Sequence, residues 1–187
     1  MTKTKILRAA KVLFAKNGYD GTSISDVLKK TEISKGALYH HFASKEDLFI
    51  ETLIFSFAEK GLTLDDIIPE IKTKIQFKQH LLDEGLRMIN FQIKHPQIMA
   101  LKWELVLQMR KNPSLKKSAK KIRDTKMNNM MDLMKRGLDL GVFSNETNLE
   151  ILLLKYILPL ETIGLQIAFG DQKLNYREYW KKTVEEL

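Results

Sequence analysis

An all-helical chain is predicted for these 187 residues by three observations. Apolar residues recur at three- and four-residue spacing, strand signals are scarce, and Ser, Thr, Gly and Pro fall where helices start and stop. There is no Gly-Gly dipeptide and no long alternation of apolar with polar residues.

Ile6, Ala10, Leu13 and Phe14 share one face of a first helix, about residues 3–17, which Asn17-Gly18 ends because Gly tolerates the left-handed conformation. Thr22-Ser23 with Asp26 supplies hydroxyl acceptors and an acid for a second start. Ile24, Val27 and Leu28 then point inward. Ser34 caps a two-turn helix over Lys35 to Phe42, packed by Ala37, Leu38 and Phe42. Ser44 caps a fourth helix running to about Lys60, with Glu46 and Asp47 in its first turn. Beyond Gly61, Pro69, Pro96 and Pro113 suit helix starts or the breaks before them, giving helices near 72–95, 96–111 and 113–140, the last ended by Gly141. An apolar helix follows over Asn148 to Phe169, with Pro159 inside it as a kink and Gly170-Asp171 as its close. A terminal helix over Tyr176 to Glu186 brings the total to about nine.

Composition narrows function. With 44% hydrophobic and 29% charged residues the chain is folded rather than disordered. No Cys is present, which excludes disulfides, thiolate nucleophiles and Cys-held zinc. The N-terminus lacks the apolar core of a signal peptide. Glu150, Lys155, Glu161 and Gln166 interrupt Leu149 to Phe169, which is read as a buried helix rather than a membrane span. A cytoplasmic protein without a membrane partner is expected. No Gly-rich phosphate loop, zincin histidine pair or nucleophile elbow occurs, so neither an enzyme nor a bound cofactor is expected.

Net charge is +8, from 31 Lys+Arg against 23 Asp+Glu. Residues 1–50 carry nine basic and five acidic residues, so half the excess sits in little more than a quarter of the chain. That is the footprint expected of a polyanion-binding module, and a solvated basic surface accounts for it equally well. Residues 23–42 also fit a helix-turn-helix: Ile24 to Lys30 braces, Thr31 to Ile33 turns, and Lys35 to His41 faces the major groove. Small Gly36 and Ala37 permit close approach, while Lys35, Tyr39 and His40 reach phosphates or base edges. The later basic run from Arg110 to Lys126 surrounds an apolar face of Leu115, Ala119 and Ile122, so it reads as the wet side of an amphipathic helix.

At fixed spacing the chain carries Ala9, Ala10, Leu13, Phe14, Gly18, Tyr19, Thr22, Ser23, Asp26, Ser34, Lys35, Gly36, Leu38, Tyr39, His41, Phe42, Ser44, Lys45, Glu46 and Leu48. Over residues 5–50 this closely resembles the N-terminal signature of the TetR family of transcriptional regulators. The resemblance implies a three-helix DNA-binding head, residues 1–46, on a helical effector-binding and dimerisation body, residues 47–187. It implies a homodimer that binds a palindromic double-stranded operator as a repressor and is released by a small molecule that shifts the fourth helix. An activator or ligand-independent regulator would share that signature, and a sensor or enzyme with a basic head is the competing reading. Carried over, Thr22, Ser23 and Lys45 hold phosphates, Tyr39 and His40 touch backbone or bases, and Lys35, Gly36 and Ala37 lie nearest the base edges, with Ser34 opening their helix. Glu32 stands where the family usually has Gly. In a left-handed turn it would cost about 1 kcal/mol.

In the body, methionines cluster with aromatics; Met at helical spacing is more often core filler, while flexible Met also suits an adaptable pocket. Met88, Met99, Met127, Met130 and Met131 with Phe91, Trp103 and Tyr156 are the candidate lining, and Gln92 and Glu104 are polar anchors, as could be Glu84, Asn90 and Gln108. An inward acid would favour a cationic apolar ligand. For the dimer, Leu152, Tyr156, Leu160, Ile163 and Ile167 of the apolar helix join Tyr179 and Trp180 of the terminal one.

Overall fold

A computed structural model describes residues 2–59, 70–144, 146, 148–170 and 174–187. The expected ends at Lys60 and Asp171, and the expected breaks at Gly61 and Pro69, lie outside the described residues. The helices are α1 (Thr2–Asn17), α2 (Ile24–Thr31), α3 (Lys35–His41), α4 (Lys45–Ala58), α5 (Lys74–Lys94), α6 (Pro96–Gln108), α7 (Pro113–Asp139), α8 (Leu149–Ala168) and α9 (Tyr176–Glu185). Among the described residues there is no strand. Chain contacts divide into two units, Met1–Gly61 with Gln97–Ile122, and Leu62–Pro96 with Arg123–Leu187.

In the first unit α1 packs along α4 and against α2 and α3. Its apolar stripe is the core: Ile6, Ala10 and Phe14 are buried with Val27, Leu38, Phe42, Leu48 and Phe49. Phe49 meets the edge of Phe14 at 4.9 Å between ring centroids. Lys3 pairs with Glu51, and Arg8 and Lys11 both pair with Glu59, tying α1 to α4 along their solvent edge. The short helices start on side-chain caps, since each leaves amides without an intrahelical acceptor. Ser23 forms a capping box with Asp26, while Ser34 accepts from the Ala37 amide and Ser44 from that of Asp47. Gly18, at φ 72°, ends α1.

The second unit is organised around α9. Trp180 is wholly buried, and its Nε1 donates to the α5 carbonyls of Leu81 and Leu82, each at 3.2 Å. The indole lies so close over Gly85 that a Cβ there would sit 1.9 Å from Cε2. Phe77, Leu81, Ile89, Leu133, Met134, Leu152, Tyr156 and Ile163 complete the core. Gln92 Nε2 donates to the Leu160 carbonyl at 3.0 Å, and Arg136 Nε to that of Ile71 at 2.7 Å.

Helix limits differ from expectation where a side chain intervenes. α5 starts at Lys74 because Thr73 and Gln76 form a capping box. α6 ends at Gln108 because Asn112 leaves the helix to cap α7, accepting from the Leu115 amide at 3.1 Å. Two expectations for α8 are corrected. Its length and mean hydropathy of 1.5 match those of a membrane span, so its charges alone do not set it apart. Nor is it buried all round. Leu152, Leu153, Tyr156, Ile163 and Gly164 face the core, while Ile151, Leu154, Leu158, Leu165 and Phe169 are exposed. Its five buried positions and the Gln92 bond to its backbone make it an element of the helical unit.

Gly85→Ala is expected to destabilise the protein by about 1–3 kcal/mol, because the indole must leave its seat. Glu32, at φ 55° and ψ 33°, occupies a left-handed position, so Glu32→Gly should stabilise by up to about 1 kcal/mol. Chemical denaturation of both variants checks the two opposite signs.

Candidate nucleic-acid interface

The turn between α2 and α3 is built by Glu32, whose left-handed backbone lets its N–H close onto the Leu28 carbonyl at 2.8 Å. Glu32 is the one non-glycine residue with positive φ among the described residues. Thr31 is buried and donates its hydroxyl to the Val27 carbonyl at 2.7 Å. The Glu32 amide and the Thr31 hydroxyl are thus both paired where the chain changes direction.

α3 turns Leu38 fully inward and leaves Lys35, Gly36, Tyr39 and His40 exposed. Tyr39 is 43% exposed, much for an aromatic on a helix this short, and Lys35 Nζ lies 5.9 Å from its ring centroid. Ala37 is half-buried. Nothing comes within 4 Å of where a Gly36 Cβ would be, so the missing side chain serves no packing inside the fold. The His41 ring turns toward Phe42, with 6.2 Å between centroids, while His40 stays outside.

The phosphate candidates differ among themselves. Thr22 is buried and donates its hydroxyl to the Gly18 carbonyl at 2.8 Å, and its amide bonds to the Tyr19 carbonyl. Its polar groups are spent on the α1–α2 turn. Ser23 is exposed at the start of α2, though its hydroxyl is shared with Asp26. Ser34 Oγ likewise accepts the Ala37 amide. Lys45 opens α4 with Nζ 4.3 Å from the Tyr19 ring centroid. Behind it, Tyr19 Oη donates to Glu46 Oε1 at 3.0 Å, and burial together with that carboxylate raises the Tyr19 pKa.

The candidate pocket residues are divided between the units. Met99, Trp103 and Glu104 belong to the first, where Glu104 Oε1 accepts the Tyr19 amide at 2.7 Å rather than standing free as an anchor. Met88, Phe91, Gln92, Met127, Met130, Met131 and Tyr156 belong to the second. There Gln92 Oε1 and Tyr156 Oη are buried without a partner, and burial pushes the Tyr156 phenol up to about 12. Glu84 is paired with Arg87 at 2.8 Å, and burial raises its pKa. Of the interface candidates, Leu152, Tyr156, Ile163 and Trp180 are buried inside this chain and Leu160 and Ile167 are half-buried. Tyr179 is exposed. Sequence reasoning missed a cleft of about 630 Å³ between α8 and α9, lined by Leu158, Pro159, Gln166, Leu174 and Tyr179 among others. Its signal was the second apolar face of α8, hidden in a helix apolar nearly all round.

Residues 6–52 match the family model described as bacterial regulatory proteins, tetR family. The HTH-type transcriptional regulator QacR of Staphylococcus aureus is 55% identical over 51 residues, 27% of each chain. The biofilm operon icaADBC HTH-type negative transcriptional regulator IcaR of the same species is 41% identical over 51 residues, again 27% of each. The chain spans about a quarter of the length of these relatives. Across 97% of this chain and 95% of the other, the fold is similar to that of the transcriptional regulator FadR from Bacillus subtilis, solved in complex with stearoyl-CoA, with a TM-score of 0.73 and 18% identity.

Asp26 is held below its ordinary value of 3.8, first by the Ser23 hydroxyl and then by the Ser23 amide. A carboxyl depressed in the folded state contributes stability above its ordinary pKa and loses it as pH falls. Asp26→Asn should therefore lower the melting temperature at neutral pH, and the gap from the parent protein should narrow below about pH 4. Thermal melts across that range check the sign.

Proposed function

We propose, from the premise that residues 6–52 belong to the TetR family of bacterial regulatory proteins, that this protein is a sequence-specific DNA-binding regulator. It acts as a homodimer, represses from a palindromic operator and is released by a small molecule. The observation that carries the reading is the outer face of α3, where Lys35, Tyr39 and His40 stand exposed beside a glycine that nothing in the fold requires. A helix laid in the major groove needs such a face. Ser23 and Lys45 flank it as phosphate contacts, which position the protein without reading sequence.

The exposed apolar side of α8, continued by Tyr179 on α9, is the proposed dimer face. Two-fold pairing buries that face and presents two α3 helices to two half-sites. Tyr156 and Trp180 support the face from behind, as its packed base. In the second unit the unpartnered Gln92 Oε1 and Tyr156 Oη support an effector site, because buried polar atoms are ordinarily satisfied. IcaR, described as a negative regulator, and FadR, solved with stearoyl-CoA, support repression and ligand uptake respectively. Release is then a population shift toward a state that binds ligand better than DNA.

Selection of bound duplexes from a random pool, at low and physiological salt, tests the reading. An enriched palindrome that survives physiological salt is expected. Binding that is sequence-indifferent and collapses with salt would assign the head to non-specific polyanion binding and overturn it. Gly36→Ala provides a second check: melting temperature unchanged or raised, because Ala favours helix over Gly, yet operator affinity reduced at least about tenfold by the methyl at the base edges.

A further inference from the structure

Asp26 is bonded to Ser23 itself, whereas two other acids of the head are engaged by neutral amides from the last residue of α6 and the turn that follows it. Gln108 Nε2 donates to Asp20 Oδ2 at 2.8 Å, three residues before Ser23. Asn112 Nδ2 donates to Glu46 Oε1 at 2.9 Å, next to Lys45. The amides are four residues apart and the acids come from different parts of the head, so the stretch holds both at once. It lies outside the segment matched by the family model.

We propose that Gln108 and Asn112 are positioning residues for DNA binding, holding the Asp20 and Glu46 carboxylates away from the phosphate sites so that Lys45 can meet the backbone unopposed. The inference rests on the reading of Lys45 as a phosphate contact. A carboxylate beside a bound phosphate repels it, and one beside Lys45 competes with the phosphate for the same ammonium. An amide donor is suited to the task because it satisfies the carboxylate without adding charge. Glu46 Oε1 receives two donors, Asn112 and the Tyr19 hydroxyl, so its position is fixed from both sides. Tyr19 is in turn held by Glu104 and carries Lys45 over its ring. Asn112, Glu46, Tyr19 and Lys45 therefore form one continuous chain of contacts, ending on the ammonium that faces DNA.

The test measures binding against salt on the duplex recovered by selection or, without enrichment, on random duplex, since phosphate contacts are indifferent to sequence. Lys45→Ala should lower the slope of log affinity against log salt by about one, the loss of one phosphate contact. Asn112→Ser keeps a hydroxyl to cap α7 but cannot reach Glu46. Its expected effect is about a three- to tenfold weaker affinity and a slope shifted toward that of Lys45→Ala, with the melting temperature held. Gln108→Ala, which caps nothing, should weaken affinity in the same direction. With Glu46→Gln as background the one carboxylate that Asn112 holds is gone, and Asn112→Ser should cost nothing further. Folded Asn112→Ser and Gln108→Ala proteins with parental affinity and slope would overturn the inference, as would an Asn112→Ser loss that persists in the Glu46→Gln background. An unchanged slope in Lys45→Ala overturns the phosphate reading and the inference with it.

Discussion

Everything proposed for the head depends on one buried seam, the stripe of Ile6, Ala10 and Phe14 laid along Leu48 and Phe49. α2 and α3 have eight and seven residues, too short to persist alone in water, where helices of fewer than about 12–15 residues are marginal. They exist because Val27 and Leu38 are drawn into that seam and because serine side chains satisfy their first amides. The seam fixes the inner faces of the short helices. By the geometry of 3.6 residues per turn it also fixes which residues face outward.

Polar contacts then do what apolar packing cannot, which is to specify direction. The hydroxyls of Ser23, Ser34 and Ser44 set where three helices begin, and Glu32 accepts a left-handed backbone so that α3 leaves at the angle the turn demands. Strain of this kind persists only where surrounding structure over-determines it. Here the buried Thr31 on one side and the capped Lys35 turn on the other hold the conformation.

Local signals made much of this legible. Proline at the starts of α6 and α7, glycine after α1 and hydroxyls before α2, α3 and α4 act within four residues of themselves, so a sequence displays them. The α3 face was readable for the same reason. What escaped was long-range or two-sided. Glu104 read as a pocket anchor because nothing near it in sequence reveals that its partner is the Tyr19 amide, 85 residues away. That Tyr156 and Trp180 are buried within the second unit was likewise hidden, because periodicity cannot choose between the two apolar faces of α8 or show what α9 packs against. Only the packing of α9 against Gly85 decides which face is inside.

That packing also orders events in time. The Leu81 carbonyl and the indole that bonds it are 99 positions apart. A ribosome adding about 5–20 residues per second therefore displays α5, with its indole slot empty, for about 5–20 s before Trp180 is made. The apolar wall around Gly85 is a sticky surface on the nascent chain throughout that interval. The second unit can close only after synthesis has passed α9, whereas α1 to α4 are complete long before.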